Sequence, residues 1–262
     1  MPPPDPTVPI RRAPPAFHEV AVTGVADRTP HLRTVSLAGP GLVGFAPDGP
    51  AASVRLLLRR GGVLELPEWT GNEFRFADGA RPPIRTLTPR RADPGAGTLD
   101  VDVVIHTDAP GPLSEWAQRT APGDTVALSG PGRGYPVDPD ARHVLVGGDE
   151  SALPAIEQLL EALPDEAVVD VVVEVARPDA RLPLPAHPGA TVEWRDLPTG
   201  QRPGDALVAA VTARTIPSDA LVWVAGEAAA VQRIRRHLEA VGVPRPRTTV
   251  RGYWKFGRAV GG

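Results

Sequence analysis

The chain has 262 residues, 42% of them hydrophobic, with a formal net charge of −3 and a pI near 6.1. It is long enough for one large domain or two modest ones, and its charge gives no ground to expect nucleic acid or an anionic membrane as a partner. It has no cysteine and six histidines without HxH or HxxxH spacing, which removes disulfides, cysteine-ligated clusters and a thiol nucleophile, and leaves no expected metal site.

Residues 1–16, rich in proline and without the apolar segment of a secretory signal, are expected to form a disordered arm. No apolar run reaches the roughly 18 residues that span a membrane. From 17 to 137 the sequence reads as short strands between turns. "HLRTVSLAG" and "ASVRLLLRR" are β-rich. "TLDVDVVIH" alternates with period two, setting Leu99, Val101, Val103 and Ile105 against Asp100 and Asp102. One short helix, 112–120, opens at Gly111-Pro112 and stops before Pro122. This pattern predicts a small antiparallel β-barrel.

After the Pro/Gly/Asp-rich stretch at 134–142 the pattern changes. "HVLVGG" (143–148) predicts a buried strand, although "VGGDESALPAIEQLL" (146–160) also reads as strand, Gly-Gly turn and helix, and 151–163 predicts a helix with Ile156, Leu159, Leu160 and Leu163 on one face. "AVVDVVVEVA" (167–176) is almost continuously apolar, as central parallel strands are. "ATVEWRDL", "DALVAAVTA", "ALVWVAG" and "EAAAVQRIRRHLEAV" come next as strand, helix, strand and helix. Alternation of this kind over 142–262 predicts a doubly wound parallel sheet.

Several segments carry chemistry. In "IRTLTPRR" (84–91), Arg85 and Arg90 suit phosphate oxygens and Thr88 suits a ring heteroatom; a solvated strand face reads the same way. In "IHTDAPGPLSEWAQR" a Gly-Pro step opens a helix whose first N–H groups favour an anion, with Ser114 adding a hydroxyl; the alternative is a crossover helix anchored by Trp116. "VGGDESALPAIEQLL" lies where a doubly wound fold puts its nucleotide loop, although Asp149 and Glu150 suit a helix start better than a phosphate. Gly226 and Glu227 repeat that design at a later strand end. The chain's only lysine, Lys255, stands in "VRGYWKFGR" directly after Tyr253 and Trp254, where "TTVR" is expected as the last strand and "GYWKFG" as a segment emerging at the carboxyl edge of the sheet, facing the barrel.

In order, "RTLTPRR", "LDVDVVIH" running into "GPLSEWA", "PGDTVALSGPGRGY", "GGDESALPAI", "VAGEA" and "GYWKFGR" resemble the siderophore-interacting protein family of FAD-dependent ferric-siderophore reductases, which is similar in fold to ferredoxin-reductase-like flavoproteins. The resemblance implies an N-terminal FAD-binding barrel followed by a Rossmann-like NAD(P)-binding domain. It implies that Arg85, Leu87 and Thr88 contact the flavin and that His106, Gly111, Pro112, Leu113 and Ser114 hold the pyrophosphate and ribityl side. Asp149, Glu150, Ser151, Ala152, Gly226 and Glu227 fall on the nicotinamide side, and Tyr253 and Trp254 near the flavin. Lys255, with Arg133 and Arg258, would meet an anionic ferric siderophore. No side chain is assigned as an acid, base or nucleophile.

Leu87 stands where the family usually carries tyrosine, so FAD is expected to be held less tightly and to be partly lost on purification. The donor is NADPH or NADH. Beyond "VVVEVA" an acid would suit the ribose hydroxyl and an arginine the 2′-phosphate, and Arg177 leans the reading to NADPH. Two other readings remain: a flavin-dependent NAD(P)H reductase for another acceptor, and a flavin- or siderophore-binding protein without turnover. A cytoplasmic monomer is expected.

Overall fold

The computed structural model describes residues 14–106 and 110–257. The first unit contains β1 (Phe17–Thr29), β2 (Leu32–Ala38), β3 (Val54–Leu57), the short pair β4 (Glu68–Trp69) and β5 (Phe74–Arg75), β6 (Ile84–Leu87), β7 (Pro89–Asp93), β8 (Thr98–Val104), helix α1 (Pro112–Arg119) and β9 (Thr125–Ser129). Seven of these strands form one antiparallel sheet in the order β6-β3-β9-β1-β2-β8-β7. The sheet curls into a half-barrel whose two edges, β6 and β7, are consecutive in the chain and are joined by Thr88 alone.

The period-two reading holds for the inner face of this sheet. Leu99, Val101 and Val103 are buried with Val20, Val22, Val35, Leu37 and Leu128 in the barrel core. The outer face differs from the expectation. Asp102, on the polar side of the alternation, is 6% exposed because the second unit covers it.

The second unit runs β10 (His143–Gly148), α2 (Leu153–Ala162), β11 (Val168–Val175), β12 (Ala190–Asp196), α3 (Asp205–Thr212), β13 (Leu221–Glu227), α4 (Ala228–Ala240) and β14 (Thr248–Trp254). Its five strands are all parallel, in the order β12-β11-β10-β13-β14. Residues Val169, Val171, Val172, Val173 and Val175 are fully buried because helices cover both faces of β11.

Three local expectations are corrected. Gly147 and Gly148 are not a turn but the last two residues of β10. A Cβ on Gly148 would lie 2.5 Å from the Ala152 Cβ and 3.0 Å from the Ala225 carbonyl, so glycine is needed for close packing inside the sheet. The helix expected from 151 starts at Leu153, after a 3-10 turn over Glu150–Ala152 that Asp149 caps. The last strand runs on through Tyr253 and Trp254, so only the residues after them leave the sheet.

The two units are tied through α2. Arg28, at the end of β1, donates to Asp102 of β8 (2.5 Å) and to Glu157 of α2. The next residue, Gln158, donates to the Pro89 carbonyl at 2.7 Å and accepts from the Ala51 amide at 2.8 Å. Arg90, read from sequence as a phosphate ligand, instead turns to this seam, with Nε 3.4 Å from Glu157 and 3.9 Å from Asp102.

Candidate functional site at the carboxyl edge of the parallel sheet

The strand order of the second unit reverses between β10 and β13, and open α/β sheets bind ligands in the crevice at that point. Here one carboxylate bridges the crevice. Asp149, 4% exposed, accepts from the Ser151 amide and hydroxyl through Oδ1. Its Oδ2 accepts from the Glu227 amide at 3.0 Å and from Trp254 Nε1 at 2.8 Å. Gly226 has φ 153°, and a Cβ there would come within 2.6 Å of Asp149 Oδ2, so this close approach requires glycine.

Residues from three separate sequence motifs thus meet at Asp149. Burial pushes its carboxyl up, against the pull of these hydrogen bonds. Ala152 is fully buried and its methyl packs against Gly148.

Other helix starts in this unit are also met by carboxylates. Glu174, at the end of β11, accepts from the Gly204 amide (2.6 Å) and the Leu207 amide (2.8 Å) at the start of α3. Glu227 accepts from the Ala230 amide at 2.8 Å, opening α4, and from the Phe256 amide at 3.2 Å. Glu150 accepts from the Ala176 amide at 2.7 Å, and burial pushes its carboxyl up to about 7. Free anions are disfavoured where carboxylates already satisfy the orphan N–H groups.

Glu150 has a measurable signature. Its pKa rises from 4.5 in the open chain to about 7 in the folded one, so between those values the folded state holds a proton that the unfolded state has released. Stability therefore falls as pH rises through that window. In melting temperatures taken from pH 4.5 to 8, Glu150→Gln should flatten this fall relative to the parent. Parallel curves would remove the effect from Glu150.

The first unit presents the opposite electrostatics. Helix α1 begins at Gly111 and Pro112; its N-cap is a glycine with no side chain to accept from the first turn, and among the described residues a Cβ there would meet nothing within 4 Å. Ser114 is buried, and its hydroxyl accepts from the His106 amide at 2.9 Å. That hydroxyl therefore braces the strand end rather than reaching out for an anion, as the sequence suggested. Leu113 packs against the barrel core. Desolvation lowers the His106 imidazole, against the pull of the Asp149 carboxylate.

On β6, Arg85 is half-buried, donates to the Ile84 carbonyl at 2.9 Å and has its pKa lowered by burial. Leu87 is partly exposed and rests on the barrel core. Thr88, 6% exposed at the β6–β7 corner, lies 3.3 Å from the Tyr253 hydroxyl.

Tyr253 and Trp254 are thus both pinned, one to Thr88 and the other to Asp149. Lys255 comes directly after them and is exposed, with the Phe256 amide anchored on Glu227. Arg133 is exposed in the segment after β9, and Arg258 lies outside the described residues. Sequence reasoning missed Arg28, Asp102, Glu157 and Gln158. The Arg28–Glu157 bond alone spans 129 positions, and the four form no motif.

Residues 21–135 match a family profile described as the siderophore-interacting FAD-binding domain, and residues 141–257 match one described as siderophore-interacting protein. The NADPH-dependent ferric-chelate reductase of Escherichia coli is 30% identical to the chain, over 91% of this chain and 92% of that protein.

The chain belongs to the siderophore-interacting protein family.

Another family relative, the ferric vibriobactin reductase of Vibrio cholerae, is 28% identical over 87% of this chain and 85% of its own length. The crystal structure of a siderophore utilization protein from T. fusca superposes with a TM-score of 0.82 at 32% identity, covering 95% of this chain and 96% of that one. Among the described residues of this siderophore-interacting protein, no helix is long and apolar enough to cross a membrane.

The residues of the first unit fit FAD. A half-buried guanidinium and a helix start without a side-chain cap suit a pyrophosphate, and the Thr88 hydroxyl suits a polar ring edge.

Proposed function

We propose that this protein reduces the iron of a ferric siderophore, with FAD as bound carrier and NADPH as electron donor. In this reading residues 17–137 hold FAD and residues 142–262 dock the nucleotide. The observation that carries it is the electrostatic contrast between the units. The first has a helix start with glycine at its N-cap beside a half-buried arginine, whereas in the second carboxylates accept from the 3-10 turn before α2 and from the starts of α3 and α4, through Asp149, Glu174 and Glu227.

FAD supplies the conversion between the two-electron chemistry of a nicotinamide and the one-electron chemistry of iron. The chain's own residues bind and orient. Arg85 and the α1 start hold the pyrophosphate, Leu87 gives apolar contact and Thr88 meets the ring edge. Tyr253 and Trp254 close the flavin side through their anchors on Thr88 and Asp149. No acid or base is required of the protein for outer-sphere transfer to iron.

NADPH is favoured over NADH by the residues at and just past the end of β11. Glu174 is 3% exposed and committed to α3, so it does not serve a ribose hydroxyl. Arg177, two residues past the strand, has the fork geometry that suits a 2′-phosphate. The acidic crevice floor leaves the nucleotide phosphates to arginines rather than to helix dipoles.

Lys255 is exposed on a doubly anchored segment, and its charge supports an anionic chelate as substrate. The test is steady-state reduction with NADPH, a ferrous trap and two ferric siderophores, one anionic and one neutral. Lys255→Ala should raise KM about three- to fivefold for the anionic complex and leave the neutral one within twofold. Equal changes would remove the charge role. Flavin bleaching by anaerobic NADPH without ferrous product would point to another acceptor, and no bleaching to a binding protein without turnover.

A further inference from the structure

The edges of the first sheet are joined by one residue, Thr88, and that corner is covered by the second unit. Tyr253, on β14, places its hydroxyl 3.3 Å from Thr88 Oγ1. The phenol ring is held edge-on to Trp223 of β13, with centroids 6.4 Å apart and planes at 85°, and Trp223 itself is 1% exposed. Among the described residues, Thr88 Oγ1 is the Tyr253 hydroxyl's hydrogen-bond partner, and no other is found for either group.

We propose that Tyr253 is a positioning residue that acts through Thr88, its phenol holding the Thr88 hydroxyl so that the threonine proton is presented to the ring edge of the bound flavin. The proposal rests on the FAD reading above and adds to it a residue on the other unit.

The direction of the bond comes from the accounting of hydrogens. Two hydroxyls facing each other have two protons and one contact between them. If Thr88 donated, the proton of the partly buried phenol would have no acceptor among the described residues, which is unfavourable. If Tyr253 donates, the spare proton is on Thr88, where a ligand heteroatom can accept it. Burial raises the Tyr253 phenol, so it stays protonated and remains a donor. The 3.3 Å separation is longer than an ordinary hydroxyl–hydroxyl bond, and such bonds shorten when a ligand draws on the chain. Trp223 fixes the ring, so the phenol has little freedom to move with a misplaced threonine.

The consequence is a direct mechanical link between the nucleotide unit and the flavin. The same strand holds Trp254 on Asp149 at the crevice, one residue beyond Tyr253. The position of the β13–β14 edge thus sets both contacts.

The test is a double-mutant cycle on the full chain, reading FAD affinity by titration of apoprotein and the midpoint potential of the bound flavin. Tyr253→Phe keeps the ring on Trp223 and removes only the hydroxyl. It is expected to weaken FAD about three- to tenfold and to displace the potential. In a Thr88→Val background the same change should alter FAD affinity less than twofold and leave the potential in place. In a Thr88→Ser background, which restores the hydroxyl, the full effect should return. Equal losses in the Thr and Val backgrounds, or an unmoved potential in Tyr253→Phe, would overturn the assignment of Tyr253. If the parent chain takes up no FAD, the FAD reading falls and this assignment falls with it. A parent that binds FAD but gives an additive cycle loses only the Tyr253 assignment.

Discussion

Arg85→Ala is expected to weaken FAD binding between about tenfold and a hundredfold, and Leu87→Tyr to strengthen it by up to about tenfold. The first expectation comes from burial. The Arg85 guanidinium is half-buried on β6 and donates to the Ile84 carbonyl, while its surroundings lower its pKa. An anion brought to such a cation gains a charge-assisted bond in a medium that screens poorly. Bonds of that kind contribute about 1.5–3 kcal/mol, and each 1.4 kcal/mol is a factor of ten. Arg85→Lys keeps the charge but loses the fork, so it should fall between alanine and the parent.

Leu87 acts in the other direction. It is partly exposed two residues further along the strand and lies on the barrel core. A tyrosine there would offer a ring face, worth about 0.5–1.5 kcal/mol beyond area. Both variants are read by the same fluorescence titration of apoprotein with FAD. An Arg85→Ala protein within threefold of the parent would remove Arg85 from the pyrophosphate site. A Leu87→Tyr protein that bound no tighter would mean that position 87 does not face the ring.

Arg28→Met is expected to destabilise the chain by about 3–5 kcal/mol at pH 7.5, lowering Tm by roughly 10 °C. Arg28 lies between two buried carboxylates, Asp102 with no exposed side-chain surface and Glu157 with 8%. Desolvation pulls its pKa down, and the bonds to Glu157 and Asp102 together outweigh that pull and hold it up. Without it, two like charges are left facing each other in the seam, with Arg90 3.4 Å from one and 3.9 Å from the other. Adding Glu157→Gln, which removes one of the two charges, should recover part of the deficit. A deficit unchanged by Glu157→Gln would mean that packing rather than charge is lost.

The sheet classes were legible because burial writes its period into the chain. Leu99, Val101 and Val103 alternate as a strand with one buried face must. The valines of β11 run without alternation, as a strand covered on both faces allows. The site was legible only as pieces. Nothing in "GGDES" or "GYWKFG" states that the Asp149 carboxylate and the Trp254 indole are bonded, because the contact spans 105 positions and depends on where two strands end in a sheet.

Asp102 shows the limit from the other side. Its pattern marks it as polar and outward, which is correct for the barrel alone. It is buried because α2 docks over that face and brings Glu157 to Arg28.

The sequence by itself determined the two sheets, their order along the chain and the family. Those depend on local periodicity and on landmarks at fixed spacing. The tertiary structure alone decided that the crevice of the second unit is bridged by a carboxylate, that α2 joins the units, and that Tyr253 reaches Thr88. Each of these is a contact between groups distant in the chain, fixed by strand order and helix docking, which no local pattern records.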